Sequence, residues 1–112
     1  MLQPFFSQVL DGLKKKIAGL PPEGPFTPVE RTIILPGRGH SLLFRIEPNK
    51  SVPEKRILSV TITPPDKSHT TTRYVARGTN AELADYMERT PGETWEALVE
   101  EMVSGCATFY FP

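Results

Sequence analysis

Only one cysteine, Cys106, stands in the 112 residues, so no disulfide can form within the chain. A lone thiol suits a reducing compartment. Long hydrophobic runs are missing too, and nothing approaches the ~18 apolar residues of a membrane span. The opening stretch MLQPFFSQVLDGLKKK carries its lysines after the apolar part, the reverse of a secretory signal. These absences predict a cytoplasmic chain with no membrane partner. Histidine is limited to His40 and His69. A metal centre needs three or four convergent ligands, and only these two and Asp66 offer themselves, so neither a metal nor another cofactor is expected.

Proline, by contrast, is abundant. Its twelve copies are about twice the usual ~5% share. They fall between periodic runs, where a missing N–H costs nothing, and so they divide the chain into segments. With 38% hydrophobic residues the chain is too apolar to remain disordered. One domain over 1–112 would bury roughly 65% of its unfolded surface, enough for a core without a staple.

Phe6, Val9, Leu10, Leu13 and Ile17 recur at three- and four-residue intervals, which predicts an N-terminal helix. Pro4 suits its first turn, Lys14 to Lys16 suit the negative end of its dipole, and Gly19 suits the residue beyond it. After the stiff connector LPPEGPFTP come four strand-like runs, VERTIIL (29–35), SLLFRIE (41–47), RILSVTIT (56–63) and TTTRYVAR (70–77). Period two with one apolar face, and connections too short for a crossover helix, predict an antiparallel meander. Parity puts Leu42, Phe44, Ile46, Leu58, Val60, Ile62, Thr72, Tyr74 and Ala76 on the covered face. It puts Arg45, Ser59, Thr61, Thr71, Arg73 and Arg77 on the open one.

Thr79-Asn80-Ala81-Glu82 reads as a capping box that opens a second helix. Thr90-Pro91-Gly92-Glu93 reads the same way for a third, which carries the stripe Trp95, Leu98, Val99 and Met102 and ends at Gly105. The tail CATFYFP reads as a short final strand or a segment across the core. The expected fold is a two-layer α+β sandwich: an N-terminal helix, a four-stranded antiparallel meander, two C-terminal helices and a short C-terminal strand, with one sheet face open.

The charges are segregated although the net charge is zero. Residues 31–77 hold nine Lys/Arg and three Asp/Glu, whereas residues 78–112 hold one Arg and seven Asp/Glu. Such a division points to partners more than to fold.

Gly37-Arg38-Gly39 has the look of a phosphate loop, but no helical pattern follows it, and its spacing fails both common phosphate motifs. A hairpin turn accounts for Pro36, Gly37 and Gly39 by geometry alone. In a meander this turn shares an end of the sheet with the 64–69 loop. Arg38, His40, Lys67 and His69 then form a candidate rim for an anion or a partner. Arg45, Arg73 and Arg77 form a candidate basic sheet face for nucleic acid, which lacks the aromatic platforms that single-strand binders use. Phe109, Tyr110 and Phe111 form a candidate interaction tail, through which a homodimer could form. Cys106 follows a helix in an acidic region, which favours a neutral, buried thiol over a nucleophile.

The order helix, four-strand meander, helices is similar to that of the ubiquitin-conjugating fold and its non-catalytic relatives. Those enzymes carry a His-Pro-Asn tripeptide and a nucleophilic Cys after the fourth strand. Here that position reads RYVARGTNAELADY, so the resemblance supplies no catalytic residue. With no nucleophile, carboxylate pair or cofactor loop in view, the expectation is a non-catalytic protein-interaction module such as an adaptor, regulatory subunit or inhibitor. Nucleic-acid binding is the alternative, and an enzyme at the His40/His69 end ranks last.

Overall fold

The computed structural model describes the backbone of residues 3–35 and 37–108, with side chains over 6–35 and 37–104. Helix α1 (Gln3–Ala18) leads into strands β1 (Val29–Ile34), β2 (Ser41–Pro48), β3 (Arg56–Thr63) and β4 (Thr71–Gly78), followed by helices α2 (Asn80–Arg89) and α3 (Gly92–Thr108). The strands pair antiparallel in the order β1-β2-β3-β4, a plain meander. The helices supply the cover that the apolar sheet face requires.

The periodic apolar positions are the core. Phe6, Val9, Leu10, Leu13 and Ile17 of α1 are buried, with Leu83 and Met87 of α2, Trp95, Val99 and Met102 of α3, and the alternating Leu42, Phe44, Ile46, Leu58, Val60 and Ile62 of the sheet. Phe44 joins the layers. Its ring meets those of Phe6 and Trp95 edge to face at 6.3 and 6.0 Å, and Tyr86 meets Trp95 at 5.9 Å. Such geometry suits the ring quadrupoles.

The capping box at α2 forms as the sequence predicts. Thr79 Oγ1 accepts the Glu82 N–H at 3.2 Å, and Glu82 Oε1 accepts the Thr79 N–H at 2.8 Å. The chain turns tightly enough that a Cβ on Gly78 would lie 2.8 Å from Glu82 Cβ. The Thr79 N–H, helped by the Lys55 ammonium, holds the Glu82 carboxyl below its usual range. A lowered folded-state pKa contributes stability above the ordinary glutamate value, and that contribution is lost as pH falls through the folded value. Urea titrations across acid pH should therefore show a shallower acid limb for Glu82→Gln than for the wild type. Thr79→Ala should cost about 1 kcal/mol at neutral pH.

Four expectations need correction. Thr90 does not open α3. Its N–H and hydroxyl both donate to the Tyr86 carbonyl, at 3.0 and 2.6 Å, so it closes α2 instead. Gly105 does not end α3, which continues to Thr108, so Cys106, Ala107 and Thr108 are helical rather than part of a final strand. Phe109, Tyr110, Phe111 and Pro112 lie outside the described residues.

The remaining two concern β4 and the charges. Ser59 pairs with Tyr74 but Leu58 pairs with Ala76, so Val75 is an extra residue in β4, a β-bulge. The extra residue inverts parity upstream of it. Thr71 and Arg73, opposite Ile62 and Val60, point to the helix side, while Thr72 and Tyr74 point to the open face. Part of the charge segregation is answered within the chain. Arg38 pairs with Glu100 at 3.0 Å, Lys55 with Glu82 at 3.1 Å, Arg73 with Glu101 at 2.9 Å, and Lys14 of α1 with Glu88. Three acids of the C-terminal helices, Glu82, Glu100 and Glu101, thus meet cations of the basic segment, and Glu88 meets α1.

Candidate functional site

The end predicted to form a rim is assembled as a hairpin, not as a phosphate loop. Leu35 N–H donates to the His40 carbonyl at 2.8 Å, and Gly39 N–H donates back to the Leu35 carbonyl at 3.1 Å. Gly37 and Gly39 sit at φ of 77° and 78°, where a side chain would strain the backbone. The 64–69 loop lies against this turn, since a Cβ on Gly39 would be 3.1 Å from Pro65 Cγ. His40 and His69 flank the row in which Ser41 pairs with Thr63 and Thr63 meets the Thr70 hydroxyl.

This end is not a concentrated cation site. Arg38 is neutralised by Glu100. Asp66 accepts the Ser68 N–H at 2.9 Å, which holds its carboxyl below the usual range and fixes the loop. Lys67 is exposed at a left-handed φ of 56° in the same turn. Among the described residues no three His, Cys, Asp or Glu side chains converge as metal ligands would.

The predicted basic face is also altered. Arg45 lies on the open side but is flanked by Glu30 at 3.3 Å and Glu47 at 3.9 Å. Arg73 has gone to the helix side with Glu101. Arg77, opposite Ile57, is exposed on the open face, and among the described residues it has no carboxylate within ion-pair distance.

What occupies the open face instead is hydroxyl-rich and partly apolar. Thr32, Leu43, Thr61 and Thr72 form one row, and Glu30, Arg45, Ser59 and Tyr74 the next. The Thr61 and Thr72 hydroxyls lie 2.8 Å apart. Tyr74 is 70% exposed and Ile34 59% exposed. An open groove of about 460 Å³ is lined by Tyr74, Val75, Ala76, Arg77 and Ile57. The bulge explains it, because two successive β4 residues then stand opposite one residue of β3. Parity alone had assigned Tyr74 to the covered face. The visible signal was the mismatch between TTTRYVAR, which carries no clean apolar alternation, and the strands before it.

A second residue escaped sequence reasoning. Arg56 is fully buried. Its Nε donates to Asn80 Oδ1 at 2.8 Å, its Nη1 to the Gly24 and Pro53 carbonyls at 3.2 and 2.8 Å, and its Nη2 to the Pro21 carbonyl. The guanidinium also lies 4.8 Å from the centre of the Phe26 ring. Proline-rich chain offers carbonyls with few N–H groups to pair them, and the rigid five-donor fork of arginine meets that need. The signal was again parity, since Arg56 shares the covered face with Leu58, Val60 and Ile62.

Comparison with family models, with curated proteins and with solved structures finds no match. Among the described residues no helix is long and apolar enough to cross a membrane. The likeness to the ubiquitin-conjugating fold therefore stays one of element order.

Proposed function

We propose that the chain is a cytoplasmic, non-catalytic protein-interaction module, and that its working surface is the open sheet face at β4. The observation that carries this reading is Tyr74, 70% exposed in a strand interior beside a groove lined by Ile57, Val75 and Ala76. Among the described residues nothing covers the Tyr74 ring. Aromatic side chains of this kind supply much of the affinity of protein interfaces. The charges argue the same way by elimination: Lys14, Arg38, Lys55 and Arg73 are neutralised by acids of the chain's own helices, which leaves them less to offer a partner. The nucleic-acid alternative loses support on the same ground, because of its three proposed arginines only Arg77 stands free on the face.

A photo-cross-linking amino acid tests the reading. Placed at Tyr74 in the source cell, it should give discrete adducts with another protein. Placed at the exposed Ala97 on α3, it should give none. Adducts from position 97 alone, or from neither position, would sink the proposal.

A further inference from the structure

Resting on that reading, we infer that the β4 groove takes an extended segment of another protein that carries a carboxylate two residues from an aromatic or large aliphatic side chain. Charge complementarity names the first element. Arg45 is answered by Glu30 and Glu47, whereas Arg77, at one wall of the groove, faces no carboxylate among the described residues. Tyr74, Ile57 and Val75 make the apolar part of the same groove.

The register supplies the spacing. Tyr74 and Arg77 are three residues apart in sequence, an interval that regular alternation would send to opposite faces. Across the bulge they stand opposite Ser59 and Ile57, which are two apart in a regular strand. The two groups are thus one strand repeat apart on one face, about 6.8 Å. An extended ligand repeats its side chains on one face at that same interval, so a carboxylate at one position and an apolar group two residues on meet Arg77 and Tyr74 together. β4 is the last strand of the sheet, with no strand beyond it among the described residues. It can therefore accept a short stretch of backbone pairing, although the bulge keeps that stretch short and discourages indiscriminate edge pairing. The chain's own aromatic tail, FYFP, carries no Asp or Glu side chain, and light scattering decides whether it occupies the groove of a second copy.

Selection of phage-displayed short random peptides on the full chain tests this. Enriched peptides should carry Asp or Glu two residues from an aromatic or large aliphatic residue. A selected peptide should bind Arg77→Glu about fivefold more weakly, an exposed attraction being replaced by repulsion. Arg77→Lys should restore most of the binding, and Tyr74→Asp should abolish it. Enriched peptides without acids, lost on Tyr74→Asp but indifferent to Arg77→Glu, would overturn the inference while leaving the docking face intact. Peptides indifferent to both variants would overturn both. A concentration-dependent dimer in light scattering that Tyr74→Asp abolishes would name a second copy as occupant and overturn the inference. So would tight binding of a single-stranded RNA oligonucleotide that Tyr74→Asp abolishes.

Discussion

Arg56→Ala is expected to lower stability by about 3–5 kcal/mol, a large share of the ~5–15 kcal/mol that holds a typical domain folded. The residue packs no carboxylate, so the loss is not that of an ion pair. Removing the guanidinium leaves Asn80 Oδ1 and the Gly24 carbonyl without the donor each one had, and opens a cavity beneath the 20–26 connector. The Pro21 carbonyl keeps Asn80 Nδ2 at 3.0 Å, and the Pro53 carbonyl keeps the Gly24 N–H at 3.0 Å, which limits the damage there. Arg56→Lys should recover less than half of the loss, since one ammonium cannot reach oxygens that surround a planar fork. Arg56→Met fills the space without donating, and should fail nearly as badly as alanine. Urea midpoints at unchanged slope give the values. Because Arg56 and Asn80 share one network, the double alanine variant should lose less than the sum of the singles. A methionine variant as stable as the wild type would show that packing, not carbonyl satisfaction, is what Arg56 provides.

Trp95→Ala should cost a similar ~3–5 kcal/mol, by a different route. The indole is 1% exposed and touches Phe44 of the sheet and Tyr86 of α2, so it closes the contact between both layers. For a domain of this length the loss corresponds to a Tm lower by about 15 °C or more. Trp95→Phe should cost well under half as much. Phenylalanine keeps the edge-to-face contacts, and the indole N–H has no hydrogen-bond partner among the described residues, so no bond is given up. Thermal unfolding followed by circular dichroism separates the two variants without relying on the lost tryptophan fluorescence. Equal losses for Ala and Phe would mean that the indole nitrogen matters after all.

Elements with a strong period were legible in the sequence. The five apolar positions of α1 and the alternating positions of β2 and β3 are all buried, because one amphipathic face has only one place to go. The hairpin turn through Gly37 and Gly39 was legible for the same reason, since no helix could follow it. What escaped depends on pairing across the chain. The bulge at Val75 exists only relative to Ser59 and Leu58 on the neighbouring strand, so strict alternation placed Tyr74 and Arg73 on the wrong faces. Thr90 can serve either neighbouring helix, and only the proximity of the Tyr86 carbonyl decides. The oxygens around Arg56 come from three separate segments. The charge segregation was visible, but a sequence cannot distinguish acids that await a partner from acids that fold back on their own basic half.

The central claim is that Tyr74 serves an interaction rather than the fold, and Tyr74→Asp measured two ways in one preparation tests it most directly. The urea midpoint should stay within about 0.5 kcal/mol of the wild type, as for an exposed side chain. The cross-links obtained from neighbouring open-face positions in the source cell should vanish. A lowered midpoint with cross-links retained would assign Tyr74 to the fold and contradict the account.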